Sequence, residues 1–528
     1  MIGGATGSRR RAGVLVPLFS CWSTRGWGIG EFGDLPSLAD WMRGAGLCTL
    51  QLLPLNEMAL GQQSPYSALS AMALDPIFIT VPAVAEFAAM GGEDSLDAAL
   101  GGMVAHVRAR PVVDYWAVRT LKDRALRQCF GRFLDTEWVR DTPRALELRT
   151  FLRDQGWWLD DYALFRAARH AANGQDWRTW PDLIRRRAPD SLARLRRESG
   201  LEILYRQYLQ WIAHTQWGEA RRRAQGVRVF GDFPFVGAGD SADTWAMQQL
   251  FSFDGTVGAP PDAFSKEGQN WKLPVYQWDA LRAQQYGWFQ HRARRMADLF
   301  DGFRVDHVVG LFRTWVFPLD GRLPYFTPAD EPTQLAQGQA VLQVIQQAGA
   351  EVIAEDLGTV PDFVRTALSA LAMPGYKVLR WERRWLEAGR PFIPPASFPP
   401  LSLATSGTHD TETLVEWWGA LEPSDRAEVL KACPPRREHA AAPDIGQPFV
   451  PQVRDRILES LYASGSNLLV IPLQDVFGWT DRINVPAIVD DKNWTWKLPW
   501  PVDDFANHPD ARERQQTLMQ WAQHYRRA

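Results

Sequence analysis

Three short segments, each running from apolar residues into a carboxylate, constrain the fold of this chain more than any other feature. They are residues 302–307 with Asp306, residues 351–358 with Glu355, and residues 403–410 with Asp410. Each apolar run predicts a buried strand. In a barrel of parallel strands, side chains at the C-terminal strand ends converge on one face. The three carboxylates are therefore predicted to share one pocket.

The alternation within the first segment supports this interpretation. Residues i and i+2 of a strand point to the same face, so Arg304 and Asp306 share a face, opposite Phe303 and Val305. A single Asp at a strand end is usually a turn former or a helix cap. Three carboxylates in corresponding positions are better explained as a functional group.

Strand candidates separated by helical periodicity recur along the chain, as repeated strand-helix units require. They cover residues 13–19, 49–55, 227–233, 302–307, 351–356, 376–381, 403–408 and 468–474. Eight such units predict an α/β fold, a closed (β/α)8 TIM barrel. At 528 residues the chain is large enough for one elaborated barrel over residues 1–528.

The spacing of the strand candidates predicts two insertions. About 170 residues separate the second candidate from the third, and helical periodicity at 115–133, 146–172 and 201–224 predicts a mostly helical subdomain over residues 58–226. Residues 255–278 are rich in Gly, Pro and aromatic residues without periodicity, which predicts an active-site loop. About 50 residues follow the last strand. That is fewer than the roughly 100 of a β-sandwich domain, so no C-terminal sandwich is expected.

Composition excludes several classes of protein. The formal net charge is -3 and the pI is near 6.3, without the basic excess of a nucleic-acid binder. The four cysteines have no metal-site or redox spacing, and no stretch has the length of a signal peptide or a membrane span. A cytoplasmic enzyme with no membrane partner is expected. The 25 Trp residues suit a carbohydrate protein, because aromatic rings stack on sugar faces, although most should pack in the core.

Nine motifs in order give the chain a family resemblance. They are RGWGIGEFGDL at 25–35, QLLPLN at 51–56, SPYS at 64–67, GDFP at 231–234, GAPPD at 258–262, GQNW at 268–271, RVDH at 304–307, AEDLG at 354–358 and THD at 408–410. As a set they resemble the 4-α-glucanotransferases of the amylomaltase or disproportionating-enzyme family, glycoside hydrolase family 77. The resemblance covers residues from about 13 to 500, and the chain resembles a bacterial form of this family.

The resemblance implies a role for each site residue. Asp306 would be the nucleophile, Glu355 the general acid and base, and Asp410 the group that holds the hydroxyls of the distorted sugar. The substrate-binding residues would be Arg304, His409, Asp232, Tyr66, Ser64, Gln269, Trp271 and Asn484. Among them, Asp232 and Tyr66 would line the donor site, and Gln269 and Trp271 the acceptor side. The resemblance implies no cofactor and no metal, with maltooligosaccharides and α-glucans as donors and glucose or maltooligosaccharides as acceptors.

The chemistry of these residue types agrees with those roles. A retaining mechanism needs one ionised carboxylate and one protonated carboxyl about 5 Å apart. Arg304 should keep Asp306 ionised, whereas burial and a negative neighbour should raise the pKa of Glu355. A loop that excludes water while offering a stacking surface would favour transfer to a sugar over hydrolysis.

The sequence departs from the family pattern at two places. Lys272 follows Trp271 where most relatives have Gly, so the loop is expected to bend differently there. Pro486, Ala487 and Ile488 replace the usual Pro-Gly-Thr next to Asn484.

Three other functions are alternatives to a glucanotransferase. An amylase-type α-glucan hydrolase is the closest alternative. A metal-dependent barrel enzyme also carries acids at strand ends, but Arg304 would oppose a cation. An inactive glycan-binding protein would most simply have lost one of the three carboxylates, and all three are present.

Overall fold

The protein was analysed as a computed structural model, which describes residues 10–59, 61–261, 267–435, 449–486, 488 and 491–528. Its strands are β1 (Arg11–Leu15), β2 (Thr49–Gln51), β3 (Arg228–Phe233), β4 (Phe251–Ala259), β5 (Gln269–Tyr276), β6 (Gly302–Val305), β7 (Thr314–Pro318), β8 (Tyr325–Thr327), β9 (Glu351–Ala354), β10 (Gly375–Val378), β11 (Ser402–Thr405) and β12 (Leu468–Pro472). Its α-helices are α1 (Leu35–Gly44), α2 (Ala85–Ala89), α3 (Ala98–Ala109), α4 (Tyr115–Thr136), α5 (Pro143–Ala171), α6 (Asp182–Arg185), α7 (Pro189–Glu198), α8 (Gly200–Arg223), α9 (Ala242–Ala246), α10 (Trp278–Ala283), α11 (Gly287–Leu299), α12 (Val309–Phe312), α13 (Glu331–Gln346), α14 (Asp362–Ala370), α15 (Leu414–Ala420), α16 (Pro423–Ala432), α17 (Pro451–Tyr462), α18 (Leu473–Phe477) and α19 (Pro509–His524).

Eight parallel strands form a nearly closed barrel, which confirms the predicted fold. Their order is β10-β11-β12-β1-β2-β3-β6-β9. The two outer strands approach each other where the Ala354 amide donates to the Pro374 carbonyl oxygen at 2.9 Å. Beside this contact, the Tyr376 amide donates to Asp356 Oδ1 at 2.7 Å. The C-terminal ends of all eight strands therefore surround one opening.

Each predicted strand is present, but the functional residues lie just beyond several of them. Strand β6 ends at Val305 and β9 ends at Ala354, so Asp306 and Glu355 are the first residues after their strands. A residue released from the sheet can turn its side chain into the opening. The sequence pattern therefore predicted that β6 and β9 end later than they do.

The chain between β2 and β3 carries helices α2 to α8. A buried lysine attaches it to the barrel. Lys122 on α4 donates to the carbonyl oxygens of Ile77 and Ile79 at 2.7 and 2.8 Å and pairs with Glu31 at 2.6 Å. This anchoring fixes the segment between β2 and α2, which reaches the opening of the barrel.

The segment 255–278 differs from the structureless loop that was expected. Most of it belongs to strands β4 and β5, which pair antiparallel in a second sheet of order β5-β4-β7-β8. The alternation was hidden because the pairing is interrupted by register shifts around Val257. Asp262 of the predicted GAPPD motif lies outside the described residues.

The described residues that follow β12 contain α18 and α19 and no strand. None of the helices that the structure describes is both long enough and apolar enough to cross a membrane.

Candidate active site

A cavity of about 740 Å³ lies at the C-terminal ends of the barrel strands and beneath the second sheet. It brings together ten of the eleven predicted site residues. These are Ser64, Tyr66, Gln269, Trp271, Arg304, Asp306, Glu355, His409, Asp410 and Asn484. The three predicted catalytic carboxylates therefore face one space.

The Arg304 guanidinium lies at the centre of the site. Its Nη1 donates to both oxygens of Asp232 at 2.8 and 2.7 Å, and its Nη2 donates to Asp306 Oδ1 at 2.8 Å. The same Nη2 lies 3.3 Å from Glu355 Oε2. One buried cation thus holds three carboxylates in a fixed arrangement.

Asp232, which was predicted to line the donor site, is not among the residues that line the cavity. Its side chain is fully buried, and it accepts a hydrogen bond from the Tyr66 hydroxyl at 2.7 Å in addition to those from Arg304. The parallel register places Asp232 directly beside Arg304 on neighbouring strands. Arg304 and Tyr66 therefore cover it, and Asp232 lies behind the cavity wall.

Asp306 and Glu355 lie close together beside one nitrogen of Arg304. Because one Arg304 nitrogen contacts both, Asp306 Oδ1 and Glu355 Oε2 lie within about 6 Å of each other, compatible with the 5–5.5 Å between carboxyl groups in retaining enzymes. Burial raises the pKa of Glu355 to about 7 against the opposing charge of Arg304, and the charges of Asp306 and Asp410 act in the same direction as burial. Glu355 can therefore hold a proton near neutral pH.

Asp410 is held ionised by two neighbours. His409 Nε2 lies 3.2 Å from Asp410 Oδ2, and Asn484 Nδ2 donates to Asp410 Oδ1 at 2.7 Å. Burial opposes ionisation, but the charge and hydrogen bond of His409, with the Asn484 amide, lower the pKa of Asp410 to about 2. The contact of Asn484 is present despite the altered residues after it. Of those residues, Ala487 lies outside the described part of the chain.

Tyr66 connects the Asp410 side of the site to Asp232. Its ring stacks on His409 with centroids 5.5 Å apart, and its hydroxyl oxygen lies 3.1 Å from His409 Nε2. The Ser64 hydroxyl accepts from the Tyr66 amide at 3.3 Å. Ser64 therefore shapes the turn that presents the Tyr66 ring to the cavity.

Trp271 belongs to strand β5 and lines the cavity beside His307. Its ring meets the His307 ring edge to face at 4.8 Å, and its Nε1 donates to Gln269 Oε1 at 3.4 Å. Lys272 has φ of 57°, in the left-handed region that favours glycine. The backbone at Lys272 therefore has a conformation that glycine adopts without steric cost. What Lys272 changes is the side chain at the cavity mouth.

Two residues that line the cavity, His307 and Trp494, were not among the predicted site residues. The His307 amide donates to Glu355 Oε2 at 2.6 Å, which its left-handed φ of 43° makes possible. Trp494, also left-handed at φ 65°, lines the cavity 5.8 Å from the Tyr66 ring and 5.9 Å from the His409 ring. His307 was visible as the residue after Asp306. Trp494 begins the sequence Trp-Thr-Trp-Lys at 494–497, which is similar to a Trp-x-Trp-Arg signature of the family but was not assigned a role.

The arrangement can run acid-base and nucleophilic chemistry with its own side chains. Across the parts of the chain that the structure describes, no group of three or more His, Cys, Asp or Glu side chains is arranged to hold a metal ion. The Arg304 guanidinium occupies the position between carboxylates that a cation would need.

Comparisons with known proteins agree with this geometry. A sequence profile described as 4-alpha-glucanotransferase, glycoside hydrolase family 77, matches residues 16–503. A 4-alpha-glucanotransferase of Chlamydia pneumoniae is 29% identical over 523 residues, covering 95% of this chain and 94% of that protein. One from Synechocystis is 30% identical with the same coverage of both chains. Amylomaltase from Streptococcus agalactiae, solved in complex with acarbose, has the same fold, with a TM-score of 0.80, 24% identity, and coverage of 98% of this chain and all of that one.

We predict that Glu355 titrates near neutral pH. Infrared difference spectra against Glu355→Gln should show a protonated carboxyl band at low pH that disappears as pH rises, with a midpoint of about 7. Asp306→Asn should lower this midpoint, because it removes a negative charge that favours the protonated form. A midpoint near 4.3, the value of an unperturbed Glu, would contradict the effect of burial.

Proposed function

Because this chain belongs to the glycoside hydrolase 77 family and is a 4-α-glucanotransferase, we propose that its three carboxylates move a 1,4-α-glucan segment by double displacement. The observation that supports these roles most strongly is that the Arg304 guanidinium contacts both Asp306 and Glu355. Burial raises the pKa of Glu355 to about 7. Asp306 instead accepts a charged hydrogen bond from Arg304 at 2.8 Å.

In the first step Asp306 attacks C1 of the donor sugar. Its Oδ1 is held by Arg304, and the Phe235 amide donates to its Oδ2 at 3.4 Å. Both donors hold the Asp306 carboxylate in a fixed orientation for the attack. As the bond from C1 to the leaving O4 breaks, that oxygen takes the proton of Glu355. The product is a β-linked glucosyl ester on Asp306 and a released glucan with a free 4-hydroxyl.

In the second step the roles of Glu355 reverse. Now ionised, it takes the proton from the 4-hydroxyl of an acceptor, whose oxygen attacks C1 and frees the Asp306 carboxylate. Two inversions give an α linkage again. The amide of His307, 2.6 Å from Glu355 Oε2, keeps that carboxyl aimed at the same point in both steps.

Asp410 is suited to hold the sugar and not to attack it. Its low pKa keeps it charged, and its side chain is 42% exposed to the cavity. We assign it to the hydroxyls beside C1. Hydrogen bonds from those hydroxyls would strengthen as positive charge develops on the ring.

Trp271 supplies an acceptor platform and restricts water. Its ring packs against His307, the residue next to the nucleophile, and so lies at the reacting end of the cavity. An acceptor sugar stacked there displaces water from C1. This favours transfer over the hydrolysis of the amylase alternative. Maltooligosaccharides and α-glucans are the proposed donors, with glucose or maltooligosaccharides as acceptors.

We also propose a cytoplasmic location for this reaction. The four cysteines are thiols in the structure, which is the usual state in a reducing compartment.

We predict that Asp306→Asn and Glu355→Gln each lower turnover of maltotriose at least about a hundredfold, because the mechanism has no substitute for either group. Asp279→Asn, at a carboxylate whose side chain is 97% exposed on α10, is the matched control and should keep full activity. Thermal unfolding should show all three variants folded. Retention of more than about a hundredth of the activity by either site variant would remove that residue from its role.

We predict that Trp271→Ala raises the ratio of hydrolysis to transfer, because it removes the acceptor platform and leaves the carboxylates in place. Products of maltotriose resolved by chain length give this ratio: transfer yields glucose and longer oligomers, and hydrolysis yields only shorter sugars. Trp116→Ala, at a tryptophan that is 66% exposed on α4, is the control. An unchanged ratio in Trp271→Ala would place the acceptor elsewhere.

In the same assay Lys272→Gly should shift acceptor preference more than rate, since the backbone already has the conformation of a glycine.

A further inference from the structure

A second cavity, of about 560 Å³, lies in the helical insertion and has no part in the reaction described above. It is enclosed by helices α4, α5 and α8 and by the chain around Glu57 and Pro76. Its size is that of a site for a small metabolite.

The lining of this cavity is dominated by cations. The basic side chains are Arg119, Lys122, Arg124, Arg127, Arg166, Arg169, Arg206 and His170, whereas the only carboxylates are Glu57 and Asp123. Several arginines have carboxylate partners outside the lining, among them Asp75, Glu202 and Asp240. Those partners orient the guanidinium groups, and the charged side chains on the cavity wall itself are mostly basic.

Some of this hydrogen-bonding capacity is unused. The buried Nε atoms of Arg119 and Arg166 have no hydrogen-bond partner among the described residues. Arg124 makes no ion pair with a described carboxylate, and its Nη1 lies 4.0 Å from Met103 Sδ. Arg169 and Arg206 also repel Arg166 electrostatically. An anion in the cavity would relieve this repulsion and accept from several guanidinium groups at once.

The same arginines hold the segment that carries Tyr66. Arg166 pairs with Glu57, and the Leu69 amide donates to the Glu57 carbonyl oxygen at 2.6 Å. Arg119 pairs with Asp75, whose Oδ2 accepts from the Met58 amide at 3.0 Å. Ser64 and Tyr66 lie on the chain between Met58 and Leu69. The wall of the second cavity is therefore the base of an active-site segment.

We propose that this arginine-lined cavity binds a small molecule bearing phosphate groups and that its occupancy is transmitted to Tyr66. Guanidinium groups recognise phosphate through paired hydrogen bonds. A phosphate oxygen competes with Glu57 for Arg166 and so loosens one end of the Tyr66 segment. The consequence is weaker binding of the glucan at the active site.

Calorimetric titration of the intact enzyme with inorganic pyrophosphate, at constant ionic strength, tests the site directly. Pyrophosphate carries no sugar, so its binding does not depend on the proposed reaction. We expect one equivalent to bind, and Arg124→Glu to weaken it at least about tenfold by adding a negative charge to an exposed position on the cavity wall. Arg153→Glu, at an arginine that is 72% exposed on α5 and outside the cavity, should bind as the wild type does.

The transmission is measured by maltotriose kinetics with and without pyrophosphate. We expect KM to rise with pyrophosphate in the wild type and in Arg153→Glu, and to stay constant in Arg124→Glu. Absence of binding to the wild type, or equal binding to Arg124→Glu, would refute the site. Stoichiometric binding with an unchanged KM would refute the link to Tyr66.

Discussion

The structure of the active site depends on one buried guanidinium shared by three carboxylates. Arg304 contacts Asp232 behind it and Asp306 and Glu355 in front of it. Without that charge, a cluster of acids in a low-dielectric cavity would repel and take up protons. With it, the two reacting groups differ: Asp306 accepts a charged hydrogen bond, and burial leaves Glu355 with a pKa of about 7. The acid-base asymmetry of the proposed mechanism follows from this contact.

The barrel supplies the arrangement through strand register. Asp232 and Arg304 are paired on β3 and β6, and Arg304 is paired in turn with Ile353 on β9, two residues before Glu355. Side chains from three strands thus meet at one height without any long loop. Above these side chains, the second sheet places Trp271 against His307. Three residues near the cavity, His307, Lys272 and Trp494, have left-handed backbones, as is frequent where a structure fixes the geometry of a functional site.

The sequence predicted the parts of the site that obey simple periodicity. Alternation placed Arg304 beside Asp306, and apolar runs located all eight barrel strands. The sequence did not predict the features that depend on tertiary contacts. Burial of Asp232 behind Tyr66 depends on a chain segment 166 residues away, and the irregular pairing of β4 with β5 concealed a sheet within residues 255–278. The positive φ of Lys272 could not be predicted from the sequence, because lysine rarely adopts that conformation.

Trapping of the covalent intermediate shows whether Asp306 is the nucleophile and Glu355 the acid and base. Glu355→Gln should react with an α-maltosyl fluoride, because fluoride leaves without a proton, and should then stall, because no base activates the acceptor. Mass spectrometry of the digested protein should find the maltosyl group on Asp306. The same adduct on Asp410, or rapid turnover with no adduct, would contradict the account.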